Sequence, residues 1–372
     1  MGPFFYEIFC LLPFMVCLVW SVILGLELKD GRRPVQVLWY LAIACTLLYF
    51  CHSLHFSRIV PAEPRWSQCL YLACNLAVYP LFYLYIRSLT NAGVQKRLFP
   101  LLLAPSAIIA VSSCITIIHH QPDGFGGADE LELVRGITVI IFAIEVVLTG
   151  IFGIRDLTRY RHKVANFYAD TEERSLPDLL TLLILFIITA VISTVANLVG
   201  RDFFNGKLLL AVPSCLFSAL LFCIFIWGYR CRCSAEDMID DLRTDTVPET
   251  AAQSGKMPQQ EQLYASICKA MEEEKLFLKP DLKITDLLLT VGSNRTYVSN
   301  CINRQSGCSF SEFVHGYRIR YALTLMEKGG LSLQETASRA GYLDGNAFYK
   351  AFSRIMGKSP STWLKEHGET VG

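Results

Sequence analysis

Polar and basic side chains recur at the starts of two predicted helices near the end of the chain. Such side chains can hydrogen-bond base edges or phosphates when a helix N-terminus enters a DNA major groove. Between Thr290 and Lys365, ten Lys and Arg residues stand against four Asp and Glu, a surplus that favours a polyanionic partner. The residues predicted to make these contacts are Arg295, Thr296, Tyr297 and Asn300 in the first helix, and Asn346, Ala347, Lys350 and Arg354 in the second.

Capping signals and apolar spacing predict the elements that position these residues. A helix near 284–291 and a second near 295–303 flank a tight turn, with Asn294 as the N-cap of the second helix. A longer helix follows, and the arrangement then repeats with Ser332 and Asp344 as caps. The sequence therefore predicts two helix-turn-helix units joined by one long helix, preceded by a helix that begins near residue 263.

The stretch from Leu263 to His367 resembles the DNA-binding domain of AraC/XylS-type bacterial regulators. The resemblance lies in GCSFSEFVHGYRIRYALTLM and, more specifically, in AGYLDGNAFYKAFSRIMGKSPSTW. It implies tandem helix-turn-helix units, DNA as a partner and pairing as a homodimer, and it adds Ser359 to the residues expected at the DNA. The signature positions are Gly341, Tyr342, Asp344, Phe348, Phe352, Gly357, Ser359 and Pro360.

Three positions depart from that family pattern. Leu288 stands where the first unit usually has a small residue, Thr336 where the second usually has Ile, and Ser293 where a turn residue is usually apolar. None of the three belongs to the expected DNA-reading surface. The departures therefore affect the expected packing within each unit more than the expected DNA contacts.

The first 230 residues carry most of the hydrophobic residues, which make up 52% of the chain. Seven apolar runs are each long enough to cross a hydrocarbon core of about 30 Å as a helix. Buried helices of a soluble protein are the alternative, but seven such runs favour a lipid bilayer. The predicted spans lie near 4–26, 35–57, 66–86, 98–118, 133–154, 178–200 and 208–229.

The charges between these spans predict an orientation. The first, third and fifth connections, together with the residues after the last span, hold thirteen Lys and Arg; the other connections hold four. Because basic connections stay in the cytoplasm, the N-terminus is expected outside and the C-terminal domain inside. The first span is expected to be retained, since basic residues follow it rather than precede it. A multi-pass protein of the bacterial inner membrane is the predicted location.

The predicted fold class is all-α, with a seven-helix transmembrane bundle followed by a tandem helix-turn-helix DNA-binding domain. We expect the transmembrane domain to cover residues 1–230 and the DNA-binding domain to cover 263–369. The residues between them, 231–262, are polar and acidic with little apolar content, which predicts a flexible or only partly helical linker.

Several residues of the apolar part are candidates for sensing a signal. His52, His55, His119 and His120 fall at the predicted outer ends of two spans, where they could bind a transition metal, titrate, or simply face headgroups. Glu145 falls near the middle of span five, where a carboxyl is expensive. It either serves a polar pathway or is protonated and hydrogen-bonded to a residue such as Asn75 or Asn197.

The leading functional hypothesis is a DNA-binding regulator that responds to a small molecule or an envelope state. A transporter or enzyme with an accessory helical domain is an alternative, and so is a protein-docking tail that does not bind DNA. We find no serine-histidine-aspartate, metalloprotease or phosphate-loop motif. The sequence therefore predicts no catalytic residue, no cofactor and no dedicated metal site.

Overall fold

The structure is a computed structural model that describes residues 3–30, 33–57, 64–90, 98–119, 127–170, 177–199, 203, 210–244 and 257–367. Its regular elements are helices, which confirms the predicted all-α fold. The helices are α1 (Pro3–Leu26), α2 (Arg33–Phe56), α3 (Arg65–Leu89), α4 (Leu98–His119), α5 (Gly127–Ala165), α6 (Pro177–Val199), α7 (Ala211–Thr244), α8 (Met257–Glu272), α9 (Ile284–Val291), α10 (Arg295–Ser306), α11 (Phe310–Lys328), α12 (Leu333–Arg339), α13 (Gly345–Met356) and α14 (Pro360–His367).

The chain divides into two compact units that are discontinuous in sequence. The first unit comprises residues 1–158 and 177–237, and the second comprises 159–176 and 238–372. The last turns of α5 and the connection that follows it thus belong to the same unit as the C-terminal helices. This membership was not expected, since the sequence placed the boundary after residue 230.

The helices of the first unit expose apolar side chains over much of their surface. Helix α3 is the most buried and packs against both α2 and α4. By contrast Leu101, Ile140 and Val212 are each at least 63% exposed. Among the described residues, six helices contain stretches long and apolar enough to cross a membrane, and α6 contributes a shorter apolar stretch, Leu180–Val195.

The helix boundaries agree with the predicted spans for the first four helices and for α6. Helix α5 is longer than predicted, at 39 residues, and extends past the expected end at residue 154. Helix α7 likewise continues to Thr244, and α8 begins at Met257. The expected linker over 231–262 is therefore helical at both ends, and its middle, 245–256, lies outside the described residues.

The second unit contains the two predicted helix-turn-helix units, α9–α10 and α12–α13, joined by α11. The predicted N-caps are confirmed at three helices. The side chain of Asn294 accepts a hydrogen bond from the Tyr297 amide at 2.9 Å, and Asp344 accepts one from the Asn346 amide at 3.1 Å. Ser332 caps α12 and shares a capping box with Glu335. Helix α14 was not predicted, although Ser359 followed by Pro360 is a helix-start signal.

Gly341 lies at a turn where the backbone closely approaches another part of the second unit. Its φ is +88°, and a Cβ atom placed there would lie 2.8 Å from the carbonyl oxygen of Phe277 and 2.9 Å from that of Leu278. Phe277 and Leu278 belong to a short 3-10 turn, Leu276–Leu278, that follows α8. Only glycine combines this backbone conformation with so close an approach, so Gly341 is required where the second helix-turn-helix unit meets this turn.

Residues 166–170, which follow α5, pack into the second unit. The amide of Ala169 donates to the Leu282 carbonyl at 3.0 Å, and the amide of Ile284 donates to the Phe167 carbonyl at 2.9 Å. These bonds flank an isolated antiparallel bridge between Tyr168 and Lys283. Phe167, Tyr168 and Ala169 are all buried. The 166–170 segment is therefore an integral part of the folded unit that carries the helix-turn-helix domain.

Candidate nucleic-acid interface

The first turns of α10 form one half of the candidate interface. Arg295, Thr296 and Asn300 are exposed and Tyr297 is half-buried, while Val298 and Ile302 on the opposite face are fully buried. The Asn294 cap satisfies one backbone amide of the first turn. The remaining helix N-terminus and the guanidinium of Arg295 together present positive potential to an anion.

Helix α13 forms the other half, with one change from the predicted set. Asn346, Lys350 and Arg354 are exposed, but Ala347 is 6% exposed and packs in the core with Phe348. Its methyl group therefore faces the protein interior rather than the surface. The helix is strongly amphipathic, so Ala347 falls on the same face as the core residues Phe348, Ala351 and Phe352.

Ser359 has a structural partner in the described structure. Its Oγ accepts a hydrogen bond from the Thr362 amide at 3.2 Å and lies 2.8 Å from the Thr362 hydroxyl. Its carbonyl accepts from the Trp363 amide at 2.9 Å. Ser359 thus caps α14, a role that its place in the signature did not reveal.

Arg318 on α11 is fully buried and organises the centre of the unit. Its Nε donates to the Phe277 carbonyl at 2.7 Å, and its Nη2 donates to the Lys279 carbonyl at 2.7 Å and to the Pro280 carbonyl at 3.3 Å. Its Nη1 lies 3.3 Å from the Asp170 carboxylate. Burial lowers the pKa of the guanidinium, and the charge of Asp170 opposes that shift. A buried arginine remains charged, so these acceptors are needed to hold it.

An aromatic pair extends this buried cluster towards the second helix-turn-helix unit. The Arg318 guanidinium lies 5.2 Å from the centroid of the Tyr342 ring, and Tyr342 OH lies 3.0 Å from His315 Nδ1. Burial lowers the pKa of His315 to about 3, and the charges of Arg318 and Arg354 act in the same direction. His315 is therefore neutral at physiological pH and serves as a hydrogen-bonding core residue.

The 166–170 segment contacts both the buried arginine and the candidate reading surface. Asp170 pairs with Arg318, and Ser311 Oγ donates to the Ala169 carbonyl at 2.6 Å. The Arg295 guanidinium lies 5.8 Å from the centroid of the Phe167 ring. One side chain predicted to bind DNA thus has an aromatic partner from the connection between α5 and α6.

Of the candidate sensor histidines, the structure describes the side chains of His52 and His55. His52 lies on a cavity of the first unit, and the ring of His55 packs edge-on against Phe56. The side chain of His119, and all of His120, lie outside the described residues. Within the described part of the chain, no three His, Cys, Asp or Glu side chains are grouped to hold a metal ion.

Glu145 on α5 has both carboxylate oxygens buried, with no hydrogen-bond partner among the described residues. Asn75, one of its two expected partners, lines the cavity that contains His52 instead. The side chain of Asn197, the other expected partner, is outside the described residues. The position of Asn75 therefore does not support the hypothesis that Glu145 is protonated and hydrogen-bonded to it.

Comparison with known proteins supports the C-terminal assignment. A family model described as a helix-turn-helix domain matches residues 287–366. The chain is similar to the Msm operon regulatory protein of Streptococcus mutans, with 31% identity over 85 residues, or 23% of this chain and 31% of that protein. It is similar to the HTH-type transcriptional activator RhaR of Cronobacter sakazakii, with 32% identity over 69 residues, or 18% of this chain and 24% of that protein.

A third relative, the uncharacterised HTH-type transcriptional regulator YfiF of Bacillus subtilis, is 30% identical over 107 residues, or 28% of this chain and 34% of that protein. The chain thus spans about a quarter to a third of the length of these curated relatives. No solved structure matches the chain. The predicted helix-turn-helix domain is confirmed. The similarity to these relatives covers at most 28% of this chain.

Proposed function

We propose that the protein is a membrane-tethered, sequence-specific DNA-binding transcription regulator that couples an envelope or membrane signal to gene expression. The observation that carries the proposal is the pair of N-capped helices, α10 and α13, whose first turns expose polar and basic side chains. The similar proteins are named as regulators of transcription, which supports the same role for this domain.

A salt series of DNA binding tests the first part of this proposal. The full chain, held in lipid nanodiscs, is titrated with genomic DNA fragments beside the double variant Arg295→Ala, Lys350→Ala. We expect the variant to bind at least about tenfold more weakly, and the slope of log affinity against log salt to fall by about two, because each lost phosphate contact contributes about 0.9.

Lys269→Ala is the matched control, since Lys269 is exposed on α8, pairs with Glu273 and belongs to neither reading helix. It should leave the affinity and the salt slope unchanged. If the wild-type chain shows no preference among DNA fragments and no steep salt dependence, the helical tail is a protein-docking module and the regulator proposal fails.

The exposed apolar faces of the first unit support the membrane part of the proposal. Large contiguous apolar surfaces are rare on soluble proteins, and here they occur on helices long enough to span a bilayer. The charge pattern of the connections predicts that the fifth connection and the C-terminal domain share the cytoplasm. Their membership in one compact unit agrees with that orientation.

We further propose that the 166–170 segment transmits the signal. It is covalently continuous with α5 on one side and leads to α6 on the other, so a displacement of these helices acts directly on it. The segment holds Phe167 against Arg295 and Asp170 against Arg318. A shift of the segment that separates Phe167 from Arg295 would free a residue of the reading surface, which provides two arrangements with different DNA affinity.

A disulfide that locks the segment in place tests this coupling. Tyr168 and Lys283 form the non-hydrogen-bonded pair of the bridge, a geometry with a Cα separation of about 4.5 Å that suits a disulfide. In the variant Tyr168→Cys, Lys283→Cys, we expect oxidation to weaken DNA binding about two- to fivefold. This factor corresponds to the free energy of the cation–π contact with Phe167 that Arg295 must break to bind DNA. Reduction should restore the affinity.

The two single-cysteine variants, oxidised and reduced in parallel, control for the other cysteines of the chain. Equal DNA affinity of the oxidised and reduced double variant, with the disulfide verified by mass spectrometry, would mean that the segment is a static part of the domain.

A further inference from the structure

The first unit contains a cavity between five of its helices. We call it the bundle cavity; it is lined by residues of α1, α2, α3, α6 and α7 and by Leu210. Its volume is about 70 Å³, enough for about five water molecules. A smaller space shares five of its lining residues, among them Tyr49, Asn75 and Ser193.

Aromatic rings form one wall of the bundle cavity. His52 lies 6.5 Å from Tyr71 between ring centroids, nearly parallel to it, and 6.0 Å from Tyr49, nearly edge-on. Tyr49 in turn contacts Phe217 of α7 at 6.3 Å. These four rings provide flat apolar surfaces of the kind that bind unsaturated or aromatic molecules.

Asn75 supplies the polar feature that points to a ligand. Asn75 is 8% exposed and lines the cavity. The amide of Asn75 can offer two N–H donors and a carbonyl acceptor to a molecule in the cavity. Of the described residues that line the cavity, none is Asp, Glu, Lys or Arg, so a charged ligand would lack a counter-ion there.

We propose that the bundle cavity binds a small, uncharged molecule with a flat apolar body and an amide, carbonyl or hydroxyl group directed at Asn75. This inference rests on the proposed function, for which the molecule would be the signal. The cavity lies at the end of the bundle that carries the N-terminus, the end that the charge pattern assigns to the outside. Ser193 belongs to α6, the helix that follows the 166–170 segment. A molecule bound in the cavity would therefore contact a helix that is connected to the DNA-binding unit.

The test uses the full chain in nanodiscs and benzamide as the probe, measured by equilibrium dialysis. We expect saturable binding with a dissociation constant of about 1 mM, reasonable for a ligand of this size. Benzoate, its charged counterpart, should bind at least about tenfold more weakly because its charge would be buried without a partner. Benzyl alcohol and indole extend the probe set to a hydroxyl and a ring N–H.

Two variants identify the site. Asn75→Leu should weaken benzamide binding about tenfold by removing the amide partner, and Ser193→Phe should abolish it by filling the cavity. Val22→Leu, on the exposed face of α1, controls for partition into lipid and should have no effect. Absence of saturable binding by benzamide, benzyl alcohol and indole, or equal binding by wild type and both variants, would overturn the proposal.

DNA binding by the same preparations, measured without probe, separates this inference from the function beneath it. If the chain binds DNA but does not bind benzamide, the bundle-cavity proposal is wrong and the regulator proposal stands. Benzamide binding that requires Asn75, in a chain that binds no DNA, would leave the ligand site standing and remove the regulator.

Discussion

Replacing Arg318 by methionine should lower the free energy of unfolding of the second unit by about 3 kcal/mol or more. The substitution keeps an apolar stem but leaves the carbonyls of Phe277, Lys279 and Pro280 without their donor. It also leaves the Asp170 carboxylate without the guanidinium beside it. The free energy of unfolding of Arg318→Lys should lie between those of the wild type and Arg318→Met. Lysine retains the charge, but it lacks the planar guanidinium that reaches several acceptors at once.

Urea unfolding of the full chain measures this effect. Trp363 is buried in the second unit, and replacing the other four tryptophans by phenylalanine makes its fluorescence report on that unit. Arg320→Met is the matched control, because Arg320 is exposed on the same helix and lies over the Tyr317 ring; it should cost less than about 1 kcal/mol. Equal effects of the two variants would show that the buried arginine does not hold the unit together.

Replacing Gly341 by alanine should destabilise the same unit by about 3 kcal/mol. The left-handed backbone alone costs a residue with a Cβ about 1–2 kcal/mol. The added methyl would also lie 2.8 Å from the Phe277 carbonyl oxygen, so the Leu276–Leu278 turn must move away from α12. Because Arg318 binds that same carbonyl, the displacement would weaken the arginine cluster as well.

Gly357→Ala separates strain from contact in the same urea measurement. Gly357 has a similar φ of +72°, but nothing lies within 4 Å of a Cβ placed there. Its substitution should therefore lower the free energy of unfolding only by the cost of the left-handed backbone conformation, about 1–2 kcal/mol. If Gly341→Ala and Gly357→Ala lower the free energy of unfolding equally, the close approach of the Leu276–Leu278 turn to Gly341 adds nothing to the cost of the backbone conformation.

The sequence predicted the helices and caps of the second unit because their signals are local. Asn294, Ser332 and Asp344 satisfy amides two or three residues away, a relation that spacing reveals. Ala347 was assigned to the DNA surface because its position in the helix was known but the direction of the core was not. The amphipathic pattern of α13, with Phe348 and Phe352, was the signal that could have placed it inside.

The contacts of Arg318 and the 166–170 segment could not be predicted in the same way. Arg318 and Asp170 are separated by 148 residues and belong to types that are usually exposed. Nothing in the sequence around Phe167 distinguishes a segment that joins a distant domain from an ordinary connection. The bundle cavity is equally non-local, since five helices must come together before Asn75 faces an unfilled space.

The discontinuous second unit also limits how the DNA-binding domain could be released from the proposed membrane tether. Proteolytic cleavage between α7 and α8 is the simplest way to free a tethered domain, since it needs one cut in the expected linker. Here residues 159–170 would remain associated through the Tyr168–Lys283 bridge and the Asp170–Arg318 pair. A fragment that did escape would carry an uncompensated buried charge, so regulated proteolysis would yield a destabilised domain rather than an active soluble regulator.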